Sequence, residues 1–397
     1  LVGSEMCIRD RGNYTLSIKD EFFSRKQSYK ELTDRKRFDT LILISIRMKG
    51  FSMRIAMIAT GGTIGSKVKQ DGWISPDTEA PYEVLHLFQM KYPALAEKVE
   101  INSRMPYQIL SENLEAEYLV KLLDEVGACI EAAEYGGIIV CHGTDTLQYT
   151  AAMLEYIYGN QPVPILLVSS NYPLEDARAN GLDNFRYAVQ RILDGYCGVG
   201  VVYRNADGNT YIHRGDRLME HAVFEDDLHS VYEKYVGRYD RDGVWIAGAL
   251  AYMTDLKAKD NLQIQTNHAY DYHILKKESG ILWLHNAPGI VYPAPEQVQG
   301  IRAILIQSYH AGTMRVDSAF RNFVRAMAEK DIPVYLLGIE QMQDGYETKQ
   351  AYRDCGVKIP EGIAPIAAYC KLWLQLSQDL SDMPIEQIQN REIRGLR

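Results

Sequence analysis

From Met53 onward the chain alternates short apolar runs with stretches in which apolar residues recur every three or four positions. The runs at 54–59, 137–141, 165–169, 199–203, 281–285, 303–307 and 334–339 have strand length. Helical spacing marks 115–133, 147–157, 182–193, 318–329 and 363–376. Strands alternating with helices predict parallel βαβ units, a sheet covered by helices. Between about residues 224 and 279 the pattern degrades, and the charged, histidine-dotted stretch 257–277 reads as a connection. The expected fold is therefore α/β in two parts: a larger N-terminal, mostly parallel sheet domain over 53–250 and a smaller C-terminal α/β domain over 280–385. Residues 251–279 form the linker between them. A chain of 397 residues that is 46% hydrophobic can fill two cores.

The first fifty residues stand apart. Met6-Cys7-Ile8-Arg9-Asp10-Arg11 resembles a translated sequencing adapter, and 12–47 is charge-rich with no clear period until a brief apolar run at 41–46. That run is too short for a signal-peptide core and lacks a small-residue cleavage site. Residues 1–52 are expected to be a non-native or disordered extension. Elsewhere no stretch approaches the roughly 20 apolar residues of a spanning helix. A net charge of −9 argues against nucleic acid or an anionic membrane as the main ligand. The six cysteines include no CxxC pair, and HExxH is absent, which favours free thiols in a reducing, cytoplasmic setting over disulfides or a metal site.

Two loops carry the candidate chemistry. Thr60-Gly61-Gly62-Thr63-Ile64-Gly65 follows the first strand, and His142-Gly143-Thr144-Asp145-Thr146 follows the second and leads straight into a helix. Ligands of open α/β sheets bind at the carboxyl ends of strands, where such loops gather. Two hydroxyls beside one carboxylate suit nucleophilic attack on an acyl carbon. The first loop is no dinucleotide fingerprint, because Thr60 stands where GxGxxG needs glycine, and no GK[ST] follows.

At these motifs, in order and about eighty residues apart, the chain resembles the bacterial asparaginase family, over roughly residues 53–380. The resemblance implies amide hydrolysis with Thr63 as nucleophile. Thr144 would supply a second hydroxyl, and Asp145 a carboxylate that also holds the substrate's α-amino group. Asp145 could equally cap the following helix. Ser111-Glu112 aligns with the family pair that grips the substrate's α-carboxylate and α-amino groups, though a capping signal is the other reading of Ser111. Gly62 and Gly143 join the substrate-binding set, and backbone N–H groups around Gly61–Thr63 are candidate oxyanion donors. The segment Ser169-Ser170-Asn171-Tyr172-Pro173 would sit in the same row of loops, more as structure than as chemistry.

Two positions depart from the family. Its mobile-loop tyrosine falls on Trp73, whose indole cannot relay a proton as a phenol can; Tyr82 is a distant substitute. Its lysine, three residues past Arg214-Gly215-Asp216-Arg217, falls on Glu220, and no lysine lies between Lys121 and Lys234. Close carboxylates resist double ionisation, which would suit Glu220 as a general base for Thr144. Arg217 could instead supply the positive charge, or the site could bind without turnover. The expected function is hydrolysis of L-asparagine to aspartate and ammonia, without metal or organic cofactor. The alternatives are an amidase for glutamine or an amide on a larger carrier, and a non-catalytic amino-acid-binding homologue. The resemblance also implies a homodimer or homotetramer, with Tyr309-His310-Ala311-Gly312-Thr313 presented to a neighbouring subunit. The expected partner is a small amino-acid amide, with no nucleic acid and no membrane.

Overall fold

The computed structural model describes residues 52–68, 74–76, 80–251, 254, 270–339, 348–360 and 362–378. The expectations for residues 1–51, for Trp73 and for most of the linker lie outside them.

An eight-stranded sheet runs in the order β10-β9-β8-β7-β6-β5-β1-β4. Its parallel half is β1 (Met53–Ala59), β4 (Val99–Arg104), β5 (Gly137–Cys141), β6 (Ile165–Val168) and β7 (Val199–Arg204). The antiparallel strands β8 (Thr210–Arg214), β9 (Gly237–Tyr239) and β10 (Trp245–Ala247) extend it beyond β7. A separate small pair, β2 (Ser66–Val68) and β3 (Ile74–Pro76), leaves the first loop. The central strands are apolar throughout because both faces are covered. On one face lie α1 (Ala80–Lys91), which precedes the short α2 (Pro93–Ala96), and α5 (Gly181–Leu193), whose Phe88 and Phe185 rings meet edge-on at 5.4 Å. The other face takes α3 (Ala116–Glu131) and α4 (Leu147–Tyr158).

A second, three-stranded parallel sheet follows: β11 (Ile281–His285), β12 (Ala303–Gln307) and β13 (Val334–Leu337). Its side chains alternate faces with period two. Ile304, Ile306, Val334 and Leu336 pack on α6 (Ser318–Ala328), near which α7 (Thr348–Asp354) buries Tyr352. Ala303, Leu305, Tyr335 and Leu337 face α8 (Pro365–Ser377). The fold is thus α/β, with a large mostly parallel sheet and a smaller C-terminal one.

The helix expectations hold to within about two residues, and the seven apolar runs are all strands. Four strands of the large sheet are not among those the pattern predicts. β4 is an edge strand of sequence VEINSR with a single buried residue, Val99. β8 is buried yet carries His213 and Arg214, while β9 and β10 are three residues each and fall largely where the pattern degrades. Helix α1 is likewise absent from the predicted elements.

Helix α4 joins the two sheets. Leu147, Ala151 and Leu154 face the large sheet, while Ala152, Met153 and Tyr156 face α8. The Tyr156 hydroxyl donates to the Ala367 carbonyl at 3.0 Å in a buried setting. The carbonyl keeps its helical donor without the hydroxyl, so only the net worth of one buried hydrogen bond is at stake. Tyr156→Phe should therefore lower unfolding free energy by about 1 kcal/mol, read as a lower urea midpoint with an unchanged slope.

Candidate active site

The site is built by three backbones in contact. After β1 the chain turns through Gly61 (φ 106°) and Gly62 (φ 71°), conformations that favour glycine. Gly62 N donates to Ile109 O at 2.9 Å, and Ile109 N donates to Thr60 O at 3.1 Å, so the 105–110 segment continues the sheet's pairing beyond β4. On the other side, a Cβ at Gly62 would stand 2.1 Å from the Gly143 Cα. A Cβ at Gly143 would in turn meet Ser111 Oγ at 2.4 Å. No side chain separates the loops that carry Thr63, Ser111 and Thr144. A one-turn 3-10 helix, Thr63–Gly65, follows, fixed by Gly65 N to Gly62 O (3.0 Å) and by Ser66 Oγ to the same carbonyl (2.7 Å). Thr63 and Thr144 are half-buried, with Asp145 exposed beside them.

Ser111 braces the second loop. Its hydroxyl lies 3.2 Å from Asp145 Oδ2, to which it donates, and accepts from Asp145 N at 3.3 Å. Thr146 Oγ1 donates to Ser111 O at 3.0 Å. Neither capping reading holds. Thr146, not Asp145, stands at the N-cap of α4, with no side-chain cap bond. Ser111 opens a 3-10 turn, Ser111–Asn113, and α3 is preceded by Glu115. The carboxylate and hydroxyl find each other instead, because the loops meet there. Glu112 next to Ser111 is exposed.

His142 anchors the same loop from below. Its Nδ1 is 2.8 Å from Gly143 O and its Nε2 is 2.9 Å from Thr150 Oγ1. A carbonyl can only accept, so Nδ1 carries the proton and Nε2 accepts from the threonine hydroxyl. Burial pushes the imidazole down to about 4, against smaller upward effects of the Gly143 carbonyl and the Asp145 charge. Sequence reasoning passes over this pair. Its signal is Thr150 at i+3 from Leu147, a polar residue on the helix face that meets the sheet.

Glu220 is exposed. Its charge reaches Tyr149, one turn along α4, whose phenol is raised first by burial and then by Glu220. Among the described residues Glu220 makes no hydrogen bond or ion pair with Thr63, Ser111, Thr144 or Asp145. Arg214 is anchored away from the loops, to Glu155 and Asp216 at 2.9 Å each. Arg217 Nε is buried without a hydrogen-bond partner. Tyr82 is 54% exposed on α1. Ser170 Oγ is held by Tyr172 O at 2.5 Å and Gly181 N at 3.2 Å, a structural role as expected. One group among the described residues, Glu225, Asp227 and His229, brings three possible metal-ligating atoms within 4.8 Å. The His229 ring there already faces the carboxylates of Glu225 and Glu233. All five described cysteines are free.

The sheet and the loops above it have counterparts in known proteins at the level of sequence and fold. Residues 54–250 match the family model for the asparaginase N-terminal domain. Over that segment the chain is similar to the asparaginases. The chain is similar to the D subunit of glutamyl-tRNA(Gln) amidotransferase from Methanobrevibacter smithii, 27% identical over 86% of this chain and 76% of the relative. The same-named protein of Sulfolobus acidocaldarius is 24% identical over 86% and 75%; that of Pyrococcus abyssi is 26% identical but matched over only 47% of its length. Among solved structures, the thermostable L-asparaginase of Thermococcus kodakarensis shares the fold at TM-score 0.63, 21% identity, 84% of this chain and 98% of its own. L-asparaginase I of Vibrio cholerae does so at 0.64, 20%, 86% and 96%. The asparaginase fold is therefore common to this chain and both enzymes. The relatives' name includes a tRNA, which runs against the expectation that nucleic acid has no part. A net charge averages over the whole surface and says nothing of a carrier brought by another protein. No helix among the described residues is long and apolar enough to cross a membrane.

Two outcomes follow for this site. Gly62→Ala or Gly143→Ala should cost several kcal/mol or prevent folding, since neither neighbour can move aside; a melting curve within a degree or two of wild type would refute the contact. The buried imidazoles also set a pH dependence. An unfolded His142 takes a proton near 6.5, whereas the folded one refuses it until about 4. His213, held down to about 3 by burial, acts in the same sense. Both contributions are complete above about 6.5 and are lost as pH falls, each at most roughly 3 kcal/mol by about pH 4. Urea unfolding at a series of pH values should show this decline, and His142→Asn should make it shallower.

Proposed function

We propose that this chain is an amidohydrolase in which the Thr63 hydroxyl attacks the side-chain carbonyl carbon of an amino-acid amide. The C–N bond breaks, ammonia leaves with the proton delivered to it, and water then cleaves the Thr63 ester to release the acid. Asp145, held by Ser111, would fix the substrate's α-amino group. Gly62 and Gly143 let the substrate lie close to backbone N–H groups that stabilise the oxyanion. The observation that carries this reading is the direct contact of the Gly62 and Gly143 backbones, which sets Thr63 and the Thr144–Asp145 pair on adjoining loops.

For the substrate, the relatives' name supports the reading of glutamine, or an amide carried on a larger molecule, over free asparagine alone. The experiment is ammonia release from asparagine, glutamine and other amides, with and without glutamylated tRNA as acceptor. Turnover of an amide other than asparagine, or stimulation by the acceptor, is expected. Turnover of free asparagine alone, unaffected by the acceptor, would return the reading to a plain asparaginase. Binding of asparagine or aspartate by calorimetry with no ammonia from any amide would mean a binding protein, a reading motivated by Glu220 in the place of lysine.

Thr63→Ala should reduce ammonia release by at least about a thousandfold, the scale set by loss of several kcal/mol at the transition state. Residual activity within about tenfold of wild type would remove Thr63 from the nucleophile's role. Glu220→Gln should lower kcat and flatten the pH–rate profile if Glu220 is the base for Thr144. An unchanged profile would shift the base's role to a group from a neighbouring copy of the chain and leave Arg217 as a source of positive charge only.

A further inference from the structure

The chain between β8 and β9 makes a stapled excursion. Leu218 and Ser230 bridge antiparallel at its base, and Met219 N donates to His229 O at 2.9 Å. Its returning limb is tied to the large sheet: Asn205 exchanges two 3.0 Å bonds with the Leu228 backbone, and Ala206 N donates to Asp227 at 2.6 Å. At the tip, Val223 is 79% exposed and Phe224 fully exposed, the latter with φ 67°. A bulky residue in the left-handed region with its ring entirely in water is doubly unfavourable, and nothing among the described residues offsets it. Glu220, Glu225, Asp226 and Asp227 surround this apolar knob with negative charge.

The opposite arrangement exists elsewhere on the same chain. Beneath the small sheet, at the amino ends of β12 and β13, an open groove of about 560 Å³ is floored by Val324, Ile332 and Pro333. Its lining includes Arg302, Lys330 and Lys358, against one acid, Asp331. The volume lies in the range that takes up a drug-sized ligand, so it has room for two side chains.

We infer that the Val223–Phe224 knob of one copy of this chain docks in the Arg302–Lys330–Lys358 groove of a second copy. Apolar side chains leave water at the centre while opposite charges meet at the rim, the anatomy of a specific interface. The contact joins two different surfaces, so it builds either a reciprocal pair or a head-to-tail series. The contact uses neither the Thr60–Gly65 loop nor the His142–Thr146 loop, although Glu220 flanks the knob, so the test of Thr63 as nucleophile stands apart from it.

Light scattering and sedimentation of the full chain, from about 1 to about 100 µM, test it with two variants. Phe224→Asp removes the knob, and the double variant Lys330→Glu with Lys358→Glu reverses the groove's charge. Each should weaken association by at least about tenfold, with melting curves to verify folding. Equimolar mixing should then restore a 1:1 pair that grows no further, because the intact knob of one chain meets the intact groove of the other. High salt should weaken wild-type association by screening the rim. A mass that is the same for wild type and either variant overturns the proposal, as does failure of the mixed variants to associate.

Discussion

Everything at the candidate site depends on how closely two loop backbones can approach. The 2.1 Å that would separate a Gly62 Cβ from the Gly143 Cα is shorter than any contact between non-bonded carbons, so both positions must lack side chains. Once that approach is made, the rest follows locally. Ile109 is drawn in as a backbone partner for both Thr60 and Gly62. Ser111, two residues later, then lies against Gly143 and can both donate to the Asp145 carboxylate and accept from its N–H. The carboxylate is thereby oriented by a neighbouring loop and not by the helix it precedes.

The second dependence is the placement of α4. The helix begins just after Asp145 and is buried between the large sheet and α8, so it is apolar on nearly every side. Its first turn is held by His142 through Thr150 and by the Tyr149–Tyr369 edge contact at 5.8 Å, and its end by Tyr156. The small C-terminal sheet thus bears on the site without supplying a residue to the two loops. Its helix α8 fixes the axis along which the Thr144–Asp145 loop is presented.

What can be read from the sequence divides along physical lines. Strands buried on both faces, such as Gly137–Cys141, advertise themselves as apolar runs, and α3, α5 and α6 show clear periodicity. β4 does not, because an edge strand needs only one apolar residue on the core side and can be charged elsewhere. β9 and β10 do not, because three residues carry no period. At the site, the glycine-threonine loops are legible as motifs, while their mutual brace is not. Ser111 and Asp145 are 34 residues apart, and a hydrogen bond over that separation leaves no local trace. The capping readings of both residues err for the same reason: short polar side chains satisfy whichever partner the tertiary fold brings nearest.

The balance of charge at the site is the remaining constraint. The large sheet's loops supply Asp145 and, further out, Glu220, with no lysine between residues 121 and 234. A buried lysine does exist, Lys371 on α8, with its ammonium 5.9 Å from the Tyr156 ring. Tyr156 stands near the far end of α4, however, and at 1.5 Å per residue it lies about 13 Å along the helix from its first residue, Leu147. The ring that this ammonium faces thus belongs to the far end of α4 and not to the turn that carries Thr144 and Asp145. Arg214 is likewise committed, to Glu155 and Asp216 beside the same far end. For a positive charge near Thr144, as the proposed chemistry asks, the candidates that remain are Arg217, the substrate's own ammonium and a neighbouring chain. Asp145 is exposed and oriented by Ser111, so under the proposed role of that carboxylate the substrate's ammonium is the candidate that needs no other group to move: binding itself would bring the cation to the site.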